Sequence, residues 1–485
     1  MERKTKIICT VGPSCADKNT LKKMIEKGMN VARLNFSHGD YEYHKKNIEL
    51  IKAVRKEMGV PLAILLDTKG PEIRTGILSD NEIFLEKNND ITLTTKEISG
   101  NSSIISVSYK ELPSQLKEGD RVLIDDGNIE LKVCGISETE IYCKVLRGGK
   151  LSNHKGVNVP NVKLDFPYLS EKDKSDILFG IENDVDFIAA SFVRKKQDVI
   201  DLRNFLSENG NDDIKIISKI ENAEGINNFD QILDFSDGIM IARGDMGVEV
   251  EFEKLPGLQK KFIKKCYYSG KMVITATQML ESMIENSTPT RAEISDVANA
   301  VFDGTSAIML SGETAVGLNP VLAVKVMAKI ANQAEEDAFK MGMYKNSIYE
   351  INAEDTTNAV CDAAGITAKD VNAKAIIVLT RYGQTARRMS KFRPKEMIIS
   401  ATPVEKTYHQ LSLSWGVVPL ISKYQKDTNK LFDHAVKCAV QSKLVAEGDT
   451  VVITAGIPLD TSGNTNIMKV EKISKEIVQQ YLKNT

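Results

Sequence analysis

The sequence predicts a (β/α)8 barrel with an inserted all-β lid domain and a following C-terminal α/β domain. Three observations carry that expectation. Eight short β-rich runs recur as far as Ser311, each tending to end in polar or charged residues. Most are followed by a helical pattern, and eight β-then-α units close most simply into a barrel. One interval between runs is about a hundred residues long and is itself full of short alternating segments. An open, doubly wound sheet is the competing arrangement. It is disfavoured because the count reaches eight without an obvious switch point.

The runs come in order. Lys6–Thr10, Asn30–Asn35 and Ala63–Asp67 are separated by helical patterns at Asp17–Lys27 and Tyr43–Met58. The barrel pattern then stops until Tyr168. The interval holds Glu82–Leu85, Asp90–Thr94, Arg121–Ile124, Glu130–Val133 and Ile141–Val145, with turns at Asp126-Gly127 and Gly148-Gly149. Alternation broken by turn residues reads as a small β domain, and an insertion on the C-terminal barrel face suits a lid. The barrel resumes with Asp186–Ser191, Lys215–Glu221, Gly238–Arg243, Met272–Thr277 and Ser306–Ser311. The helix before the last run opens at the capping box Thr290-Arg-Ala-Glu293 and stops at Asp303-Gly304. A third unit follows, with strands expected at Ala375–Thr380, Met397–Ser400, Val417–Leu420, Thr450–Thr454 and Asn466–Val470. The expected division is therefore 1–70 with 168–340 as barrel, 71–167 as lid and 341–485 as α/β domain.

Composition narrows the function. At 485 residues the chain exceeds one core. A net charge of −2 points to neither nucleic acid nor a membrane surface. No apolar run approaches the roughly 20 residues of a bilayer span, and no signal-peptide pattern opens the chain, so a cytoplasmic protein is expected. Seven scattered cysteines without a Cys-x-x-Cys pair suit free thiols, and no zinc-ligand spacing appears. Gly-x-Gly-x-x-Gly and Walker A patterns are both missing, so any nucleotide is held by another device.

Barrel chemistry gathers at the C-terminal ends of strands. Those ends present Arg33, Asn35 and Ser37, then Asp67, Thr68 and Lys69, then Lys219 and Glu221, Asp245, Thr277, and Ser311 with Glu313. Adjacent strands lie about 4.8 Å apart, so one hard metal ion could bridge Glu221 and Asp245 with Lys219 beside it. Basic groups for phosphate, carboxylates for Mg²⁺ and softer oxygens for a second cation suit phosphoryl transfer by positioning and electrostatics. Histidine is nearly absent from the rim, with only His38 close, which disfavours imidazole base catalysis. Singly, each residue has an ordinary reading. Lys219 and Glu221 could be an exposed salt bridge, Asp245 a turn aspartate, Thr277 and Ser311 backbone caps, and His38 a surface histidine.

Seven ordered motifs change that balance. They are Lys6-Ile-Ile-Cys-Thr-Val-Gly-Pro13, Arg33-Leu-Asn-Phe-Ser-His-Gly39, Leu66-Asp-Thr-Lys-Gly-Pro-Glu-Ile-Arg-Thr-Gly76, Ser218-Lys-Ile-Glu-Asn222, Ala242-Arg-Gly-Asp-Met-Gly247, Ala276-Thr-Gln-Met-Leu-Glu-Ser-Met283 and Leu310-Ser-Gly-Glu-Thr-Ala315. Over essentially its full length the chain resembles the pyruvate kinase family. The resemblance implies phosphoryl transfer from phosphoenolpyruvate to ADP, giving pyruvate and ATP in glycolysis. It implies Glu221 and Asp245 as ligands of Mg²⁺ (or Mn²⁺), Lys219 and Arg33 on the phosphoryl group, and Gly244-Asp245 backbone on the substrate carboxylate. Thr277 would lie near the methylene carbon; Thr277, or a water held by Ser311 and Glu313, would supply the proton. On this reading Lys219 and Glu221 are separate grips on one substrate, not partners.

The resemblance also implies a K⁺ site at Asn35, Ser37, Asp67 and Thr68. Glu72 stands where K⁺-independent relatives carry lysine, so K⁺ activation is expected. Pro13, His38, Tyr43, Arg74 and Lys195 match nucleotide contacts. Thr380, Arg381, Gly383, Gln384 and Thr385, with a second loop from Gly456 to Asn466, match the loops for a phosphorylated effector. Tyr382 replaces a smaller residue there, which leaves fructose 1,6-bisphosphate, AMP and ribose 5-phosphate all open. A homotetramer is implied, and no phosphohistidine-like C-terminal domain is expected. Trp415 is expected to pack within the third domain or against a neighbour. A metal-dependent lyase of pyruvate is disfavoured because Arg74 and Lys195 would have no role in it. A silent sugar-phosphate-binding regulator is disfavoured because Lys219, Glu221, Asp245 and Thr277 are all present.

Overall fold

The computed structural model describes residues 3–344, 355–458 and 464–482. Eight parallel strands close a barrel: β1 Lys6–Thr10, β2 Val31–Asn35, β3 Ala63–Asp67, β4 Phe187–Ala190, β5 Lys215–Ile220, β6 Gly238–Ala242, β7 Met272–Ala276 and β8 Ala307–Leu310. Strands neighbour one another in chain order, and β8 pairs with β1. Their apolar runs are continuous because both faces are buried. Ile8, Leu65, Phe187, Ile217, Met240 and Ile274 pack inside the barrel. The alternate residues, such as Ile7, Ile64, Ile216 and Ile239, pack outward against the helices. Helix Lys18–Lys27 is capped by Asp17 and helix Tyr41–Met58 by Asp40. Helix Arg291–Phe302 opens with the predicted capping box at Thr290 and Glu293.

Between β3 and β4 the chain builds a seven-stranded sheet and a separate two-stranded sheet around their own apolar core. Ile73–Arg74, Ile104–Ser106, Gly149–Ser152 and Gly156–Asn158 are strands that the sequence reading did not find. None exceeds four residues, too short for alternation to stand out from the background.

The third unit is a five-stranded sheet in the order Val417–Ile421, Met397–Thr402, Ala375–Leu379, Thr450–Ala455, Ile467–Lys472. Only the last pairing is antiparallel. This unit docks on the barrel floor, the end opposite the strand C-termini. Lys6 Nζ donates to Val417 O at 2.7 Å, and Gln410 Nε2 donates to Asp186 O at 3.2 Å and Asp213 O at 2.7 Å. Leu413 joins the cluster inside the barrel and stoppers it. Trp415 is 1% exposed, with the Arg393 guanidinium 4.3 Å from its ring centre and Lys4 Nζ at 5.6 Å, so it packs as expected. Residues 459–463 of the predicted second effector loop lie outside the described residues. All seven cysteines are free thiols. Among the described residues no helix is long and apolar enough to cross a membrane.

His409 sits in this floor contact, on helix Glu405–Gln410, with both ring nitrogens buried and without hydrogen-bond partners. Burial first, then the positive charges of Arg55 and Lys406, push it down to about 3. The unfolded chain therefore binds this proton near pH 6.5, while the folded chain refuses it until about 3. Its stability contribution is full above pH 6.5 and is lost as pH falls toward 3. His409→Gln should flatten this acid loss of stability, read as urea midpoints against pH. An unchanged slope would assign the loss to other groups.

Candidate active site at the barrel mouth

Residues two apart on a strand share a face, so Lys219 and Glu221 both point into the mouth from β5. Lys219 Nζ donates to Asp67 Oδ1 at 3.0 Å and to Ser191 Oγ at 2.7 Å. It also stands 3.0 Å from Glu221 Oε1. Burial alone would depress the Lys219 ammonium, but Asp67 and then Glu221 outweigh it and hold it charged. The two residues are thus ion-paired, not separate as the sequence reading had them. The reason is burial: Glu221 is 1% exposed, and a carboxylate that deep requires a nearby cation. Nor is this the exposed salt bridge of the ordinary reading. Burial pushes the Glu221 carboxyl upward, against the pull of Lys219. Its Oε2 accepts from Phe192 N at 2.6 Å, while Oε1 accepts no hydrogen bond of proper angle despite the nearby ammonium.

Asp67, at the end of β3, is the other counter-charge. Arg33 Nε donates to its Oδ2 at 2.7 Å, and Arg33 Nη1 donates to Thr10 Oγ1 at 2.8 Å. Burial would raise the Asp67 carboxyl, but Arg33 and Lys219 together bring it below its ordinary value. Asn35 and Asp67 are register partners across β2 and β3. Asn35 Oδ1 accepts from Ser37 N at 3.2 Å, and Thr68 Oγ1 donates to Ala189 O at 3.3 Å. The four residues proposed for K⁺ therefore share one corner of the mouth. Ser191 binds that corner to Lys219, because its hydroxyl donates to Thr68 O at 2.7 Å. Strand-end reading passed over Ser191, though it closes a predicted run with a hydroxyl.

Helix Arg243–Glu249 begins directly after β6 and carries Gly244 and Asp245. Thr277 follows β7 in a left-handed conformation, φ 67°, and Gln278 repeats it at 54°. For a β-branched residue this is an outlier that its surroundings must hold. Thr277 Oγ1 accepts from Gly244 N at 2.9 Å and donates to Ala276 O at 2.6 Å. Glu313 is buried, with Oε1 accepting from Leu280 N at 3.1 Å and Oε2 from Ser311 N at 2.7 Å. It braces two loops with both oxygens, which does not favour it as a holder of a proton-carrying water.

The inserted domain faces this mouth across a cleft of about 590 Å³, lined by Arg74, Asp126, Lys155, Arg194 and Asp245 among others. Asn158 Nδ2 donates to Glu249 Oε1 at 3.0 Å, tying the insert to the helix that bears Asp245. Burial and then the Asp245 charge raise the Asp126 carboxyl. Arg74 pairs with Glu72 at 2.6 Å, so the anion beside the expected phosphates already has one cation. Pro13, His38, Tyr43 and Lys195 do not line this cleft. Lys195 heads helix Lys196–Glu208, and Tyr43 packs edge-on against His44. In the α/β domain a second cavity is lined by Thr380, Arg381, Tyr382, Gln384, Thr385 and Lys423 with others. Gly383, φ 80°, starts helix Gln384–Lys391 there, and its N–H donates to Thr380 Oγ1 at 3.0 Å.

Among the described residues no three His, Cys, Asp or Glu side chains converge as a metal cage. Two carboxylates, one with an orphaned buried oxygen, still fit a hard cation whose other positions are filled by water or substrate oxygens. Fold and site together define a barrel enzyme for a small substrate rich in negative oxygens. Family comparison makes this particular. Residues 2–324 match the model of the pyruvate kinase barrel domain, and 358–471 that of the pyruvate kinase alpha/beta domain. The chain is 48% identical over 481 residues to a pyruvate kinase of Staphylococcus haemolyticus (strain JCSC1435), covering 98% of this chain and 82% of that one. It is 48% identical over 479 residues to that of Staphylococcus aureus (strain MRSA252), covering 98% and 81%. A crystal structure of a pyruvate kinase from Cryptosporidium parvum superposes with TM-score 0.90 at 42% identity, covering 97% of this chain and 96% of that one. The chain belongs to the pyruvate kinase family.

Thr277→Gly should relieve the backbone strain while removing the hydroxyl. Thermal stability should change by less than about 1 kcal/mol, because relieved strain offsets the lost hydrogen bond. Turnover should fall by about tenfold or more, as expected for a misplaced catalytic contact. Parallel unfolding and rate measurements check both.

Proposed function

We infer that this chain transfers the phosphoryl group of phosphoenolpyruvate to ADP, giving pyruvate and ATP, the closing step of glycolysis. Family membership carries the reaction. The observation that supports the residue roles is the buried trio Lys219, Asp67 and Glu221, close enough to Asp245 that its charge acts on both Lys219 and Glu221.

In this reading Lys219 and Arg33 take the phosphoryl oxygens, since both are charged and already braced from behind by Asp67. Glu221 and Asp245 hold Mg²⁺ or Mn²⁺. Bound there, the ion supplies charge neutralisation for the phosphoryl group and the developing enolate. Asn35, Ser37, Asp67 and Thr68 hold K⁺ with oxygen donors alone. The Gly244 and Asp245 backbone takes the substrate carboxylate, and Thr277 sits at the methylene carbon as proton donor. Ser311 remains the alternative holder of a proton-carrying water. Arg74 and the cleft take ADP, and the insert closes over it to exclude water. Lys195, Pro13, His38 and Tyr43 join the nucleotide contacts as the insert moves. The sections 1–70 with 168–340, 71–167 and 341–485 act as catalytic barrel, lid and regulatory domain. The cavity at Thr380–Thr385 takes a phosphorylated effector, with Arg381 and Lys423 as its cations. A cytoplasmic homotetramer completes the reading.

Pyruvate formation from phosphoenolpyruvate and ADP, followed by coupled NADH oxidation, tests it directly. Turnover should require both Mg²⁺ and K⁺; no turnover under any combination would refute the reading. Glu221→Ala should raise the Mg²⁺ requirement steeply and cut turnover by about a hundredfold or more. A near-unchanged rate removes Glu221 from the metal site. Replacing K⁺ by Na⁺ or Tris should lower the rate, and equal rates in all three buffers would remove the K⁺ site.

A further inference from the structure

We propose that Arg243 is a positioning residue for the reaction: its guanidinium clamps the left-handed turn Thr277-Gln278 and so fixes the Thr277 hydroxyl beside the reacting carbon. The inference rests on the reading of Thr277 given under Proposed function.

Arg243 is only 8% exposed, yet it lies one residue from Gly244. Its Nε donates to Ala276 O at 3.1 Å, and its Nη2 donates to Thr277 O. Two consecutive carbonyls at the end of β7 are thus held by one planar group. The other side of the fork is anchored as well. Nη1 donates to Asp296 Oδ1 at 2.7 Å and to Gln259 Oε1 at 3.3 Å, and Nη2 lies 2.9 Å from Met279 Sδ. Asp296 belongs to helix Arg291–Phe302 and Gln259 to helix Leu255–Ser269, so two neighbouring helices fix the guanidinium.

Thr277 and Gln278 need such a clamp. Both are left-handed non-glycine residues, at φ 67° and 54°, and such a pair persists only where neighbours over-determine it. The same stretch controls the partner of the Thr277 hydroxyl, since the Gly244 N–H that it accepts at 2.9 Å follows Arg243 directly. Lysine cannot substitute, because a single ammonium cannot span two carbonyls and a carboxylate in one plane.

Two steps of the reaction can be read separately. In exchange of pyruvate methyl protons with D₂O, the C–H pair becomes the C–C double bond, the carbonyl π pair moves to oxygen to give the enolate, and the proton passes to solvent. On return the C–C double-bond pair takes a deuteron from D₂O to form a C–D bond as the carbonyl re-forms. It is followed by NMR with Mg²⁺, K⁺ and ATP present. Phosphoryl transfer is followed from phosphoenolpyruvate and ADP. Arg243→Lys should lower methyl exchange relative to phosphoryl transfer by about tenfold, the scale of a small misplacement at a reacting centre. Mn²⁺ binding by EPR should be retained. Asp296→Asn, which loosens the anchor but keeps the fork, should shift the ratio the same way by less, and serves if Arg243→Lys does not fold. Thr277→Ala should lower the ratio at least as much. If Thr277→Ala moves the ratio and neither clamp variant does, the clamp is overturned. If Thr277→Ala leaves the ratio unchanged, the reading of Thr277 fails, and the inference with it.

Discussion

One ammonium between two buried carboxylates organises the mouth of this barrel. Lys219 satisfies Asp67 and Glu221 together, and Asp67 in turn orients Arg33. Removing any member leaves an uncompensated charge in a low-dielectric setting, which is far more costly than losing the pair outright. The net charge of the cluster is balanced within itself, two cations against two carboxylates. On the proposed reading, a trianionic substrate would meet cations whose geometry is already fixed, with no large reorganisation before the chemistry.

The barrel was legible because continuous apolar runs with polar ends are what a closed parallel sheet demands on both faces. All eight of its strands end within a residue of the run that predicted them. The face shared by Lys219 and Glu221 followed from strand period alone. What stayed hidden rests on contacts that leave no periodic trace. Arg243 was visible within Arg-Gly-Asp, but the two partners that matter to Thr277 are backbone carbonyls 33 and 34 residues away, and carbonyls have no sequence signature. Phe192 reaches Glu221 through its N–H, from a left-handed position, φ 53°. The two-to-four-residue strands of the insert are too short to alternate. The separation of Lys219 from Glu221 failed for another reason: role assignment by kinship describes a loaded site, whereas burial decides which charges must touch.

The site is also a meeting of loops held at different cost. Glu313 ties the loops after β7 and β8 with two backbone donors, and Asn158 ties the insert to the helix after β6. The first link centres on a carboxylate only 2% exposed; the second bridges two domains by a single amide. Lid closure as proposed would therefore strain the second link before the first, leaving the barrel half of the site in place.

Leu413 has a consequence of its own. A barrel of this kind usually closes its floor with its own side chains, but here a residue more than a hundred positions beyond β8 completes the packing inside. The third domain is therefore not a detachable cassette. An exchange for a homologous domain would have to bring its own apolar stopper, in the same place, or leave the interior of the catalytic unit open to water from below.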